Sequence, residues 1–232
     1  MSLMPPSQIS FSPAFSPSHG LTDGGTALAG RATYDASLKD RPGDIVTKRM
    51  VATTFNVALE DLQQSHPMAS WCSYKMIESD KTLNVDVSIR VYDTDEAAAE
   101  NFRNSTRSMT AKEMVDVRRA VREKAGGSDK RDTATQNVLT NVVSAIQQHG
   151  IQFEDVDGIA DQARFETTEG TLRLQQGNLR ITLSAFYGPD MTIPDVVTAE
   201  TIIKAVTTWQ QNTMSKRKEQ AIALAKVALA AL

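Results

Sequence analysis

Apolar residues recur along this chain at two periods, and the places where the period changes divide it into elements. Val51, Phe55, Ala58 and Leu62 return at spacings of four, three and four, which builds one apolar stripe on a helix over about 46–63. His66-Pro67 stops that helix, because the residue before a proline is pushed out of the α region. The period then drops to two. Leu83, Val85, Val87, Ile89 and Val91 alternate with Asn84, Asp86, Ser88 and Arg90, which predicts a strand with one buried and one wet face. "SWCSYKMIE" is a second strand before it, and the short polar "SDKT" between them predicts an antiparallel hairpin. Thr94 or Asp95 caps the next helix, whose inner face carries Ala97, Ala98 and Phe102. Met114, Val117 and Val121 continue a helical stripe until Gly126-Gly127 breaks it, and Val138, Val142, Val143 and Ile146 mark another helix over about 133–148.

Alternation resumes in "VDGIADQARFETTEGTLRLQQGNLRITLSAFYG", where Glu169-Gly170 and Gly177-Asn178 separate three short runs. Leu172 and Leu174, then Leu179, Ile181, Leu183 and Ala185, form the inward faces of a β-meander. A final helical pattern runs from about Val196 nearly to Leu232 and carries Ile202, Val206, Trp209, Ile222, Ala225 and Leu229. Such a helix approaches about 50 Å, which predicts a break near Thr213 to Ser215. The two halves share an order of helix, strands and helix, and "IRVYDTDEAAAENF" and "SAFYGPDMTIPDVVTAETI" both pass from strand through an aromatic and an acidic turn into a helix. Two pseudo-repeated halves are therefore one form the fold can take. The class is α+β: an antiparallel sheet, made of a hairpin plus a β-meander, flanked by helices.

Composition adds the ends and the surface. Residues 1–30 hold Pro5, Pro6, Pro13 and Pro17 ahead of Gly20, Gly24 and Gly25, and 1–45 reads as a Ser/Pro/Gly-rich tether before a single domain at 46–232 with a helical insertion at about 105–150. Met1-Ser2-Leu3 ahead of Met4 leaves two starts open. One follows a removed export signal and gives a periplasmic or envelope protein, and the other is Met4 and gives a cytoplasmic one. Against 41% hydrophobic residues, 25 basic and 28 acidic residues leave a formal net charge of −3, too little for a strong field toward nucleic acid or an anionic membrane. Seven basic residues between Lys112 and Asp132 interleave with five acidic ones, which reads as a solvated helix surface and not a phosphate track. No apolar run is long enough to span a bilayer, so the chain carries no transmembrane segment.

Candidate chemistry is sparse. "EDVDGIAD" gathers four carboxylates around Gly158, as calcium loops do, but an EF-hand register places Phe153 first and Arg164 last, where oxygen donors are required. The turn therefore reads as punctuation in which Gly158 supplies an unusual backbone angle. His19, His66 and His149 have no paired spacing for zinc, Cys72 lies on a strand beside Trp71 and Tyr74, and neither a GxSxG elbow nor a phosphate-binding loop is present. No catalytic, cofactor-binding or metal-ligating residue is assigned, and no cofactor is expected.

"WCSYKM", "LNVDVSIRVYDTDEAAAENF", "VDGIADQARF", "TLRLQQGNLRITLSA" and the closing "EQAIALAKVALAAL" follow an order that resembles small exported and lipoprotein-like bacterial domains of the Mog1/PsbP-like α/β-sandwich type. The resemblance implies an envelope-located protein, a lipoprotein or periplasmic domain; the expectation beside it is a non-enzymatic domain that binds a protein or small-molecule partner, tethered by its Ser/Pro-rich N-terminus, which a lipobox cysteine or signal peptide ahead of Ser7 would support. Two alternatives remain beside it: an enzyme using a divalent ion at Asp155, Asp157 and Asp161, and a secreted effector-like protein.

Overall fold

The computed structural model describes residues 33–68, 70–78, 80–124, 150–192 and 198–232. Its frame is a single antiparallel sheet of β1 (Gln63–Met68), β2 (Trp71–Ile77), β3 (Lys81–Val91), β4 (Phe153–Asp155), β5 (Gln162–Glu166), β6 (Thr171–Gln176) and β7 (Leu179–Pro189), in spatial order β1-β2-β3-β7-β6-β5-β4. Two hairpin-built units thus meet at β3 and β7, which pair over their full eleven residues from Lys81↔Pro189 to Val91↔Leu179. The glycines of the predicted tight turns adopt the left-handed region, φ 74° at Gly170 and φ 55° at Gly177, which a side chain rarely tolerates.

Register places every apolar position of the alternating runs on one face. Val87 is opposite Cys72 and Leu183, which continues to Leu172 and Phe165; Ile89 is opposite Ile181, which continues to Leu174 and Ala163. Onto this face pack α1 (Pro42–Ile45), α2 (Lys48–Phe55) and the second half of α5 (Ala199–Leu229), through Ile45, Val51, Phe55, Leu224, Ala225 and Ala228. Each fully buried Leu, Ile or Val here contributes about 1.5–3 kcal/mol. Tyr74 is wholly buried in the same layer, and its hydroxyl donates to the Val46 carbonyl, so the polar tip is satisfied where water is excluded. The opposite, polar face is crossed by α3 (Asp95–Ser105), whose start is fixed by Thr94, its hydroxyl accepting from the Ala97 N–H at 3.1 Å. Met109 and Ile151 bridge to each other, so α4 (Ala111–Lys124) leaves the sheet layer where the chain later returns. The expected helix over about 133–148 lies outside the described residues.

Four expectations change. The first helix ends at Phe55, not near 63, because Asn56 takes the left-handed conformation at φ 52° and caps it. The freed segment becomes edge strand β1, and Pro67 falls where its register slips between Ser65 and Met68, a place that tolerates a missing N–H. The tether does not extend to 45: a 3-10 turn at Ala36–Asp40 and α1 belong to the folded unit, with Ile45 and Val46 buried. The last helix has no break at Thr213 to Ser215. It runs 31 residues, about 46 Å, and contains neither proline nor glycine. Thr213 Oγ1 folds back onto the Trp209 carbonyl at 2.8 Å, and the Arg217 guanidinium lies over both Trp209 and Phe186, at 4.5 and 5.0 Å from the ring centroids. Where β6 no longer flanks β7, the Gln220 amide takes its place, accepting from the Tyr187 N–H and donating to its carbonyl. Two strands lie outside β3 and three outside β7, and α3 lies on the polar face while α5 lies on the apolar face, so the two halves are not equivalent.

Val87 is fully buried at the sheet centre. Val87→Asp is expected to lower the unfolding free energy by more than about 3 kcal/mol, read by urea denaturation, because an unpaired carboxylate replaces a packed side chain. Gly170→Ala is expected to cost about 1–3 kcal/mol in the same assay, since the position has positive φ and a Cβ there would meet Arg217 Cδ at 2.9 Å.

Candidate functional site

The polar face is organised by arginines. Arg164 on β5 and Arg173 on β6 are cross-strand partners, and Arg180 on β7 lies opposite Arg90 on β3. Three of these four reach α3: Arg164 Nη1 donates to the Thr106 carbonyl at 3.1 Å, Arg173 Nη1 to the Ser105 carbonyl at 2.7 Å, and Arg180 Nη1 to Asn101 Oδ1. The first two satisfy carbonyls left open at the helix C-terminus, where positive charge is also favoured by the helix dipole. Each of those two has its own carboxylate. Arg164 Nε pairs with Asp155 at 2.7 Å and Arg173 Nη2 with Glu166 at 2.8 Å. Burial pushes the Glu166 carboxyl above its usual range, and Glu169 adds to this, while Arg173 pulls the other way.

Arg180 is different. Its partner on α3 is a neutral amide, its cross-strand neighbour is another guanidinium, and among the described residues no carboxylate lies within ion-pair distance of either Arg180 or Arg90. Burial pushes the Arg180 guanidinium below its ordinary value; Arg173 and Arg90 add in the same direction, against Tyr92.

A cavity of about 340 Å³ opens beside this pair. Its origin is topological. β2 begins at Trp71, opposite Ser88, and just beyond it the Ile89 N–H donates to the Ser70 carbonyl at 3.1 Å. β3 continues to Val91 paired on its other edge with β7 but, among the described residues, with no strand on the β2 edge. Ser88, Arg90, Arg180 and Thr182 line the cavity from the sheet, while Lys39 and Asp40 line it from the 3-10 turn. The turn's strand-side anchor is Asn178, which exchanges hydrogen bonds with the Tyr34 backbone and donates to the Tyr92 carbonyl at 2.9 Å. Three cationic residues against one carboxylate give the cavity lining an excess of two positive charges. Guanidinium and ammonium groups at such a site hold an oxyanion by charge-assisted hydrogen bonds but do not exchange protons near neutrality.

Sequence reasoning did not find this site. Arg90 and Arg180 both stand on positions read as the wet sides of strands, and no local spacing signals that the two strands pair in a register placing them side by side. The acidic turn, by contrast, is dispersed. Asp155 faces Arg164, Asp161 accepts from the Gly177 N–H at 2.8 Å, and Gly158 between them has φ 75°. Among the described residues no group of three or more His, Cys, Asp or Glu side chains is placed to hold a metal ion. Cys72 is buried in the core with Gln64 Nε2 at 3.4 Å. His66 lies on β1, and His19 and His149 fall outside the described residues. No helix among the described residues is long and apolar enough to cross a membrane.

The acidic turn has its own test. Gly158→Val is expected to cost about 1–3 kcal/mol from backbone strain alone, since nothing lies within 4 Å of the added Cβ. Asp155→Asn, which loosens one exposed ion pair, is expected to cost a few tenths of a kcal/mol. A calcium-dependent rise in the parent's melting temperature that Asp155→Asn removes would make the turn a metal site.

No family model, no curated protein and no solved structure matches this chain.

Proposed function

We propose that this protein is a binding domain for a small anionic ligand, taken up in the cavity where β2 stops and β3 runs on. One observation carries the reading: Arg90 and Arg180 are cross-strand neighbours at that cavity with no carboxylate partner among the described residues, although the two other arginines that reach α3 both have one. Two like charges on adjacent strands repel, and partial burial of Arg180 strengthens the repulsion, so an external anion lowers the free energy of the folded state. The groups that converge fix charge and position and do not transfer protons, which favours binding over catalysis. The Ser/Pro-rich leader and the resemblance to exported bacterial domains support placing the activity at the cell envelope, with the folded unit presenting its cavity to a periplasmic solute.

Differential scanning fluorimetry at constant ionic strength checks the reading. Inorganic phosphate, acetate and succinate exchanged for chloride are expected to include at least one anion that, at about ten times its dissociation constant, raises the melting temperature by roughly 3–6 °C. Arg180→Gln and Arg90→Gln are each expected to abolish the rise. If neither substitution alters the response, the anion binds elsewhere and the reading fails.

A further inference from the structure

On β5 and β6 the protein shows what a guanidinium on this face requires. Arg164 and Arg173 each place one nitrogen on α3 and another on a carboxylate, Asp155 or Glu166. On β7 the first half of that arrangement is repeated and the second is missing. Arg180 reaches α3 through Asn101, and its side of the cavity contains hydroxyls, Ser88 and Thr182, in place of an acid. An Asp at position 101 would have neutralised Arg180 from within. Asn101 instead accepts one N–H, which fixes the fork without cancelling its charge. A second guanidinium, Arg90, and the Lys39 ammonium line the same space, and only Asp40 opposes them.

Resting on the anion-binding reading above, we infer that the ligand is a small dicarboxylic acid and that Asn101 is the residue that reserves Arg180 for it. One carboxylate takes on Arg180 the place that Asp155 takes on Arg164 and Glu166 on Arg173; the other meets Arg90 and Lys39. Two negative charges match the two uncompensated positive charges of the lining, and about 340 Å³ lies at the small end of small-molecule sites. Ser88 and Thr182 supply hydroxyl donors to carboxylate oxygens that the guanidinium groups leave free. Asn101 acts through Arg180 and is a positioning residue.

Isothermal titration calorimetry of the full chain with succinate, acetate and inorganic phosphate at fixed ionic strength tests both parts. Succinate is expected to bind at least roughly tenfold more tightly than acetate or phosphate, the difference that one additional charge-assisted contact makes. Asn101→Asp is expected to weaken succinate binding roughly tenfold or more while its melting temperature stays at or above the parent's, because Arg180 gains an internal partner. Asn101→Gln, which keeps a neutral amide, is expected to remain within about threefold of the parent, and it decides the question if Asn101→Asp does not fold. Acetate or phosphate binding as tightly as succinate would overturn the dicarboxylate assignment and leave the anion site standing. Parent-like succinate affinity in a folded Asn101→Asp, or loss of affinity in a folded Asn101→Gln, would overturn the role of Asn101. A parent chain that binds none of the three anions would remove the site itself.

Discussion

The pairing of β3 with β7 is the constraint on which the rest depends. Eleven residues from each strand are matched in antiparallel register across roughly a hundred positions of sequence, so that contact closes a large loop whose entropy the paired strands must offset. Once made, it converts two separate apolar stripes into one continuous face. Val85 and Val87 then lie beside Ala185 and Leu183, and α2 and α5 have a common surface to cover. A slip of one residue would turn every apolar side chain to the polar face, so the hydrophobic pattern itself enforces the register.

The same register builds the polar side. Arg90 and Arg180 become neighbours because Ile89 and Ile181 do on the face beneath, and the core thereby dictates which charges must coexist above it. α3 is held there by a small apolar contact, Ala98 and Phe102, and by arginine donors to its C-terminal carbonyls. Its position is set as much by those charged groups as by burial. The cavity comes from a length difference, since β2 starts at Trp71 while β3 passes on to Val91, and Lys39 and Asp40 of the 3-10 turn line the space left. A site formed by a missing length of strand has no sequence motif, because its lining residues answer to four separate stretches of chain.

Local pattern made much of the architecture legible. The hairpin, the meander with its two glycine turns and the Thr94 cap follow from period-two alternation, the φ preference of glycine and the capping geometry of threonine. The misread elements have specific causes. Leu62 is buried as expected, but as part of the approach to β1, so a helical spacing arose from residues on two different elements. The segment before Ile45 looked like linker because it is short and polar, yet Tyr34 and Leu38 pack partly buried against the core and Pro42 is buried beside it. The last helix stays whole because the aromatic cluster of Trp209, Phe186 and Arg217 supports its middle, a contact between residues more than twenty positions apart.

The sequence by itself determined the α+β class, the alternating faces of β3, β6 and β7, and the positive-φ glycine of the acidic turn, because each is governed by interactions between residues a few positions apart. Only the tertiary structure decided which strands lie side by side, on which face each helix sits and which arginines receive a carboxylate. Those outcomes depend on register between distant segments, and the electrostatic state of a side chain is set by its spatial neighbours. Asn101 and Arg180 are unremarkable on a helix and a strand read singly. Placed together beside Arg90, they leave positive charge at the cavity that its one lining carboxylate, Asp40, does not balance.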